Sequence, residues 1–112
     1  MDFPELVDRL RGMLGAKLVA YLGGVKETRA VRQWASEERT PGDAVVQRLR
    51  LAYQVAGLIV ESQNSPAIVQ AWFQGANPQL EDRSPARVLR DDHPDKVGPQ
   101  VISAARAFAR VG

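Results

Sequence analysis

The feature that most constrains the fold is the segment LAYQVAGLIV, residues 51–60, which contains no charged residue. Apolar side chains in and before this segment recur at spacings of three and four, which predicts one long helix over about residues 41–62. Leu51, Val55 and Leu58 fall on the side that a surface helix leaves to water. A helix that is apolar all round is buried all round. The later half must therefore be covered by the C-terminal helices, by a second copy of the chain, or by both.

Helix-start signals recur along the rest of the sequence. Asp2, Thr40, Ser65 and Ser84 each precede the first turn of a predicted helix, and the last three are followed directly by proline, which suits the first helical position. No alternating run of β-branched residues predicts a strand. We place the start of the last helix at Pro99, because a proline farther inside a helix removes a hydrogen bond. The seven predicted helices cover roughly residues 3–14, 16–22, 27–36, 41–62, 66–74, 85–90 and 99–111.

Composition excludes several classes of protein. Hydrophobic residues make up 45% of the chain and charged residues 25%, as in an ordinary globular protein. The sequence has no cysteine, which excludes disulfides and thiolate metal sites. No apolar run approaches the roughly 18 residues of a membrane span, and the acidic start MDFPEL is unlike a signal peptide. We therefore expect a cytoplasmic protein. Together with the predicted helices and the lack of predicted strands, this indicates an all-α protein: a compact helical fold with an N-terminal helix-turn-helix and a small C-terminal helical domain.

Charge is distributed unevenly along the chain, although the net charge is only +2. Residues 9–50 contain nine Lys and Arg against four acids, a net charge of +5. Residues 81–95 contain five acids against three arginines. A basic surface attracts phosphate backbones, so the two parts of the chain are suited to different partners. A simple solvated surface is the alternative interpretation of the same charges.

The stretch KLVAYLGGVKETRAVRQW, residues 17–34, is laid out as a helix-turn-helix: a short apolar helix, a glycine-containing turn, and a helix with one buried and one polar face. Val31 and Trp34 are predicted to be buried. The polar face is suited to DNA, because Arg can bond bidentately to guanine and Gln to adenine, and a helix N-terminus can hold a phosphate. The turn is longer by about two residues than in common helix-turn-helices, so plain helical packing remains an alternative. The predicted DNA-binding residues are Lys26, Thr28, Arg29, Arg32, Gln33 and Ser36, with Lys17 and Arg39 as flanking contacts.

A second motif, AWFQGANPQLEDRSPARVL, covers residues 71–89. Asn77-Pro78 predicts a turn, because Asn bonds back to its own backbone and Pro fixes φ. Trp72, Phe73 and Leu80 are apolar and suited to the core; we place Trp72 and Leu80 there and assign partner contact to an exposed Phe73 or to Gln74. Arg83, Arg87 and Arg90, spaced by four and three, form a basic stripe that is either solvated or an interface anchor.

The chain resembles the MbcA/ParS/Xre group of bacterial antitoxins, in which a Xre-like helix-turn-helix is fused to a short C-terminal toxin-binding domain. The resemblance covers nearly the whole chain. It rests on TRAVRQW and the long helix AVVQRLRLAYQVAGLI, and more heavily on the second motif. The family's C-terminal domain similarly has a Trp near a helix end, an Asn-Pro or Pro-Asn turn, a Leu, and a Pro followed shortly by a Leu at the opening of a short helix. The matching positions, in order, are Trp72, Asn77, Pro78, Leu80, Pro85 and Leu89.

The resemblance implies neutralisation of a RES-type toxin, which consumes NAD, and repression of the shared operon by binding double-stranded operator DNA. It assigns residues 1–62 to DNA binding and residues 63–112 to toxin binding. A homodimer or larger assembly is expected, because most helix-turn-helix proteins bind operators as two-fold dimers. The chain departs from the family in its wider turn and in ending at RVG, directly after the last helix. The residues expected to contact the toxin are Phe73, Gln74, Asn77, Arg83, Arg87, Arg106 and Arg110.

Catalysis has little support in the sequence. His93 is the only histidine, and DDHPD reads as a polar loop, because adjacent loop residues seldom converge on one metal ion. No Ser/His/Asp spacing or phosphate-cradling glycine loop stands out. We expect no enzyme activity, no metal and no cofactor. Two other functions stay open: a helical adaptor whose helix-turn-helix is only architecture, and a helix-turn-helix regulator without a toxin.

Overall fold

A computed structural model describes residues 1–111, and within that range every regular element is helical. The prediction of an all-α fold is confirmed. Five of the seven predicted helices begin at the predicted residue or within one residue of it; the fourth and the seventh begin elsewhere. The helices are α1 (Phe3–Leu14), α2 (Ala16–Leu22), α3 (Thr28–Ala35), α4 (Asp43–Ser62), α5 (Pro66–Gln74), α6 (Pro85–Asp91) and α7 (Pro94–Val111), with a short 3₁₀ turn at Pro78–Leu80.

The long helix α4 is covered chiefly by α7, which forms its most extensive helix–helix contact. Gly98 of α7 faces Leu51 of α4, and the Ser62 hydroxyl donates a hydrogen bond of 3.1 Å to the Ala109 carbonyl. The two residues of each pair are 47 positions apart in the sequence. The chain therefore advances in the same direction along both helices. Val55 is fully buried and Leu51 and Leu58 are half-buried. The C-terminal helix therefore covers the apolar side of α4 within one copy of the chain.

The predicted start of α7 at Pro99 is wrong, because the helix begins five residues earlier, at Pro94. Pro99 lies inside the helix with its ring exposed to solvent. Proline costs a helix one hydrogen bond, here to the carbonyl of the exposed Asp95, which water can reach. The earlier start places Val97 and Gly98 in the core. Burial of this additional turn outweighs the local cost of the proline.

The predicted start of α4 at Pro41 is also displaced, because the helix begins at Asp43 with Gly42 as its cap. Thr40 therefore does not cap α4. The other three signals act as predicted: Asp2, Ser65 and Ser84 accept backbone hydrogen bonds from the first turns of α1, α5 and α6.

The N-terminal and C-terminal parts of the chain share one hydrophobic core. Helix α1 contacts both α3 and α5, and α2 contacts both α3 and α6. Of the large apolar side chains in residues 1–111, only Met1 and Val111 are exposed. None of the helices in the same range has the length and apolarity needed to cross a membrane.

Candidate nucleic-acid interface and C-terminal motif

Helix α3 separates its apolar and polar side chains as the sequence predicts. Val31 and Trp34 are 0% and 4% exposed, whereas Arg29 and Arg32 are exposed and Gln33 is half-buried. Trp34 packs against Phe3 of α1 with a centroid separation of 6.4 Å. The burial of two side chains on a helix of only eight residues anchors α3 to the core. Its two arginines are left free to face a partner.

The turn before α3 is shaped by contacts at its first residues. Gly23 lies against the Trp34 ring: a Cβ placed there would be 2.6 Å from Cη2 and 2.8 Å from Cζ3. Gly24 has a φ of 74°, which favours glycine. Arg48 of α4 donates a hydrogen bond of 3.0 Å to the Leu22 carbonyl at the end of α2. The glycines thus bring α2 and α3 together, and Arg48 ties the end of α2 to the long helix.

The N-terminus of α3 is open to solvent. Glu27 occupies the capping position, but its side chain makes no capping hydrogen bond. Lys26 and Thr28 are exposed beside it. First-turn amides that lack a side-chain cap can donate to a phosphate oxygen. The predicted phosphate contacts are therefore placed on an accessible helix end, although the Glu27 carboxylate lies among them.

The C-terminal end of α3 is less suited to DNA. The Ser36 hydroxyl donates a hydrogen bond of 2.8 Å to Glu38 and lies 3.4 Å from the Gln33 carbonyl. Ser36 is exposed as predicted, but its hydroxyl is engaged, and the neighbouring carboxylate repels phosphate. The part of the polar face that remains suited to DNA carries Arg29, Arg32 and Gln33 and excludes the C-terminal cap residue Ser36.

Two basic residues next to this face come from outside the helix-turn-helix sequence. Arg11 of α1 lines a hollow of about 470 Å³ with Thr28, Arg29 and Arg32, although it also forms a 2.8 Å ion pair with Asp8. Arg90 of α6 lies beside α2 and the turn. Neither was predicted to lie here, because no local spacing links α1 or α6 to α3. The predicted flanking residue Arg39 does lie beside Lys26 and Arg29.

The C-terminal motif folds as a helix end, a turn and a short helix. The Asn77 carboxamide accepts a hydrogen bond of 2.9 Å from the Gln79 amide, and the Asn77 amide donates to the Arg83 carbonyl at 3.1 Å. Leu80 and Pro85 are buried. The predicted turn at Asn77-Pro78 is thus confirmed, and Arg83 closes it by donating through Nε to the Leu80 carbonyl at 3.2 Å.

The predicted exposure of Phe73 is wrong, because its side chain is 0% exposed. Trp72, predicted to be in the core, is only half-buried and packs edge-on against Phe73 with ring centroids 5.2 Å apart. Phe73 follows Val69 by one helical turn, and these two side chains form the buried face of α5. The predicted contact of Phe73 with a toxin is therefore not available on this surface.

The three arginines of the predicted basic stripe have different surroundings. Arg83 and Arg87 form ion pairs of 3.4 Å with Asp92 and 3.5 Å with Asp91. The Arg90 guanidinium instead lies over the Tyr21 ring of α2, 4.5 Å from its centroid. The three arginines therefore do not form one uniform basic surface for a partner. The other predicted toxin contacts are surface residues: Gln74, Arg106 and Arg110 are exposed and Asn77 is half-buried.

The DDHPD segment initiates α7. The His93 Nδ1 accepts a hydrogen bond of 3.1 Å from the Asp95 amide, and its carbonyl accepts from Lys96 and Val97. In the part of the chain that the structure describes, no three His, Asp or Glu side chains are grouped as a metal site. Comparisons with protein-family models, curated proteins and solved structures found no match to this chain.

Proposed function

We propose that this protein is a DNA-binding antitoxin that represses its own operon and neutralises a RES-type toxin by direct binding. One observation carries the DNA half of the proposal: Arg29 and Arg32 are exposed on a helix whose opposite face is anchored by Val31 and Trp34. Lys26 and Arg39 border the same face. This is the arrangement in which a recognition helix presents side chains to the major groove.

Within this function, we assign base contacts and phosphate contacts to different side chains in and next to α3. Arg29, Arg32 and Gln33 are the candidates for base edges, because their donors are those that guanine and adenine accept. Lys26, Thr28 and the first amides of α3 are the candidates for phosphate. Ser36 is assigned no base, because its hydroxyl is engaged by Glu38.

The toxin-binding half of the proposal rests on the family resemblance of residues 71–89. The surface side chains that remain available for the toxin are Gln74, Asn77, Arg87, Arg106 and Arg110. Phe73 and Leu80 support this surface from the core. A homodimer or larger assembly belongs to the same proposal on the ground that two recognition helices supply adequate operator affinity. The apolar side of α4 does not require a second copy of the chain to cover it, because α7 covers that side.

A paired assay on one double variant tests the proposal. Arg29→Ala with Arg32→Ala should weaken binding to a duplex from upstream of the gene by about 1–3 kcal/mol for each arginine that reads a base. Toxin neutralisation should survive, because it is assigned to residues outside α3. The measurements are operator affinity, protection of cells from the adjacent toxin, and sedimentation of the unmodified protein at micromolar concentration.

Each outcome points to one function. Unchanged DNA affinity in the double variant would show that α3 is structural and favour a helical adaptor. Normal operator binding without an adjacent toxin, or without protection from it, would favour a transcriptional regulator with no toxin. A clean monomer at micromolar concentration would count against two-fold operator binding.

A further inference from the structure

The C-terminal half contributes a cation to the surface that surrounds α3. Arg90 lies on α6, about sixty residues beyond α3, and its guanidinium is 4.5 Å from the centroid of the Tyr21 ring on α2. Together with Lys17, Lys26 and Thr28, these two residues line a groove of about 500 Å³. Three cations line this groove against one acid, Glu27. The excess positive charge makes the groove suited to an anion.

The charge on Arg90 is not neutralised locally. Arg87, one turn earlier in α6, is paired with Asp91, and Arg83, which precedes α6, is paired with Asp92. Within residues 1–111, no acidic side chain forms such a pair with Arg90, which is exposed. Stacking on an aromatic ring holds the face of a guanidinium and leaves its N–H edge directed outward. Tyr21 thus orients Arg90 so that its donors are free for a phosphate oxygen.

The groove is continuous with the polar face of α3. Thr28 lines both this groove and the hollow that contains Arg29 and Arg32. Lys26 lines both this groove and the hollow that contains Arg29 and Gln33. A duplex with its bases against α3 carries its backbone along the borders of that helix. Phosphate contacts at the borders fix how a recognition helix sits on DNA.

We propose that Arg90, oriented by Tyr21, binds a phosphate of the DNA backbone beside the bases that α3 reads. The proposal rests on the DNA-binding function and extends it, since it gives the C-terminal half a direct share in DNA affinity. Lys17 lies on the same groove and supplies a second cation to that backbone segment.

Salt dependence measures this contact without knowledge of the operator. The probe is a fluorescent random-sequence duplex of about 30 base pairs, because phosphate contacts also support non-specific binding. Binding is followed by anisotropy between about 50 and 200 mM salt. Arg90→Ala should reduce the slope of log K against log salt by about 0.9 and weaken binding roughly eightfold at 0.1 M salt. Arg90→Lys, which keeps the charge, should keep the slope.

Arg87→Ala is the matched control. It removes the same charge from the same helix within one turn, but from a residue that is paired with Asp91 and does not line the groove. Its slope should equal that of the unmodified protein. Tyr21→Phe should also keep the slope, because the ring is retained. Circular dichroism and a thermal melt of each variant show that the fold is intact.

The outcomes separate this proposal from the function on which it rests. If the unmodified protein binds DNA and Arg29→Ala with Arg32→Ala weakens that binding, but Arg90→Ala leaves the slope unchanged, the Arg90 contact is refuted and the function stands. Equal losses for Arg90→Ala and Arg87→Ala would reveal only a diffuse effect of charge, which also overturns the contact. If the unmodified protein shows no salt-dependent binding, both proposals fail.

Discussion

At the scale of single residues, the position of α3 depends on Gly23. This residue has an ordinary helical φ of −77°, so its role is to leave space for the Trp34 ring, and conformational freedom is not required. Gly23→Ala should lower the free energy of unfolding by about 1–3 kcal/mol, the usual cost of overpacking, because the new methyl would displace the ring. Urea denaturation measures the loss. On the proposed function, the same substitution should also weaken DNA binding, because Trp34 anchors α3 to the core.

Gly57→Ala is the control for this substitution. Gly57 lies inside α4, and a Cβ placed there meets nothing within 4 Å. Alanine is favoured over glycine inside a helix by about 1 kcal/mol, so this variant should gain stability. Equal stability of the two variants would mean that Trp34 yields without cost and that Gly23 does not set the position of α3.

At the scale of helices, two of the three hydroxyl–proline signals in the chain, at Ser84 and Thr40, have different results. The Ser84 hydroxyl accepts a hydrogen bond of 3.1 Å from the Arg87 amide at the start of α6, whereas Thr40 lies outside α4, which is capped by Gly42. Ser84→Ala should therefore lower the free energy of unfolding by about 1 kcal/mol. Thr40→Ala should leave it within about 0.5 kcal/mol of its original value. Thermal melts of both variants compare the two caps, and equal losses would contradict the assignment of the caps.

At the scale of the whole molecule, the two halves of the chain depend on each other for burial. Val55 and Ile59 of α4 are 0% exposed, and α7 is the main partner of that helix. A fragment of residues 1–62 would expose these side chains and would also lose the contacts of α5 with α1 and of α6 with α2. We expect this fragment to lack a cooperative thermal transition by circular dichroism, in contrast to the full chain. A cooperative melt with native helicity would show that the N-terminal part is an independent domain.

Apolar spacing and capping residues in the sequence were sufficient to predict most of the helices. Apolar spacing predicted the helices, and the caps at Asp2, Ser65 and Ser84 lie where the sequence places them. The same spacing predicted that Val31 and Trp34 are buried and that Arg29 and Arg32 face outward. These features depend on side chains within one or two turns of each other, which is the range over which helix periodicity and capping act.

Tertiary packing decided what local signals could not. Helix α5 is apolar nearly all round, so nothing in its sequence distinguished the buried Phe73 from the half-buried Trp72; contacts with other helices made that choice. Pro99 taken by itself predicted a late start to α7. The helix instead begins at Pro94, because the turn before Pro99 packs against α4. Arg90 reached the surface around α3 only because α6 packs on α2 and brings it over Tyr21. In each case the deciding contact joins residues far apart in the chain, where the spacing of side chains along a helix carries no information.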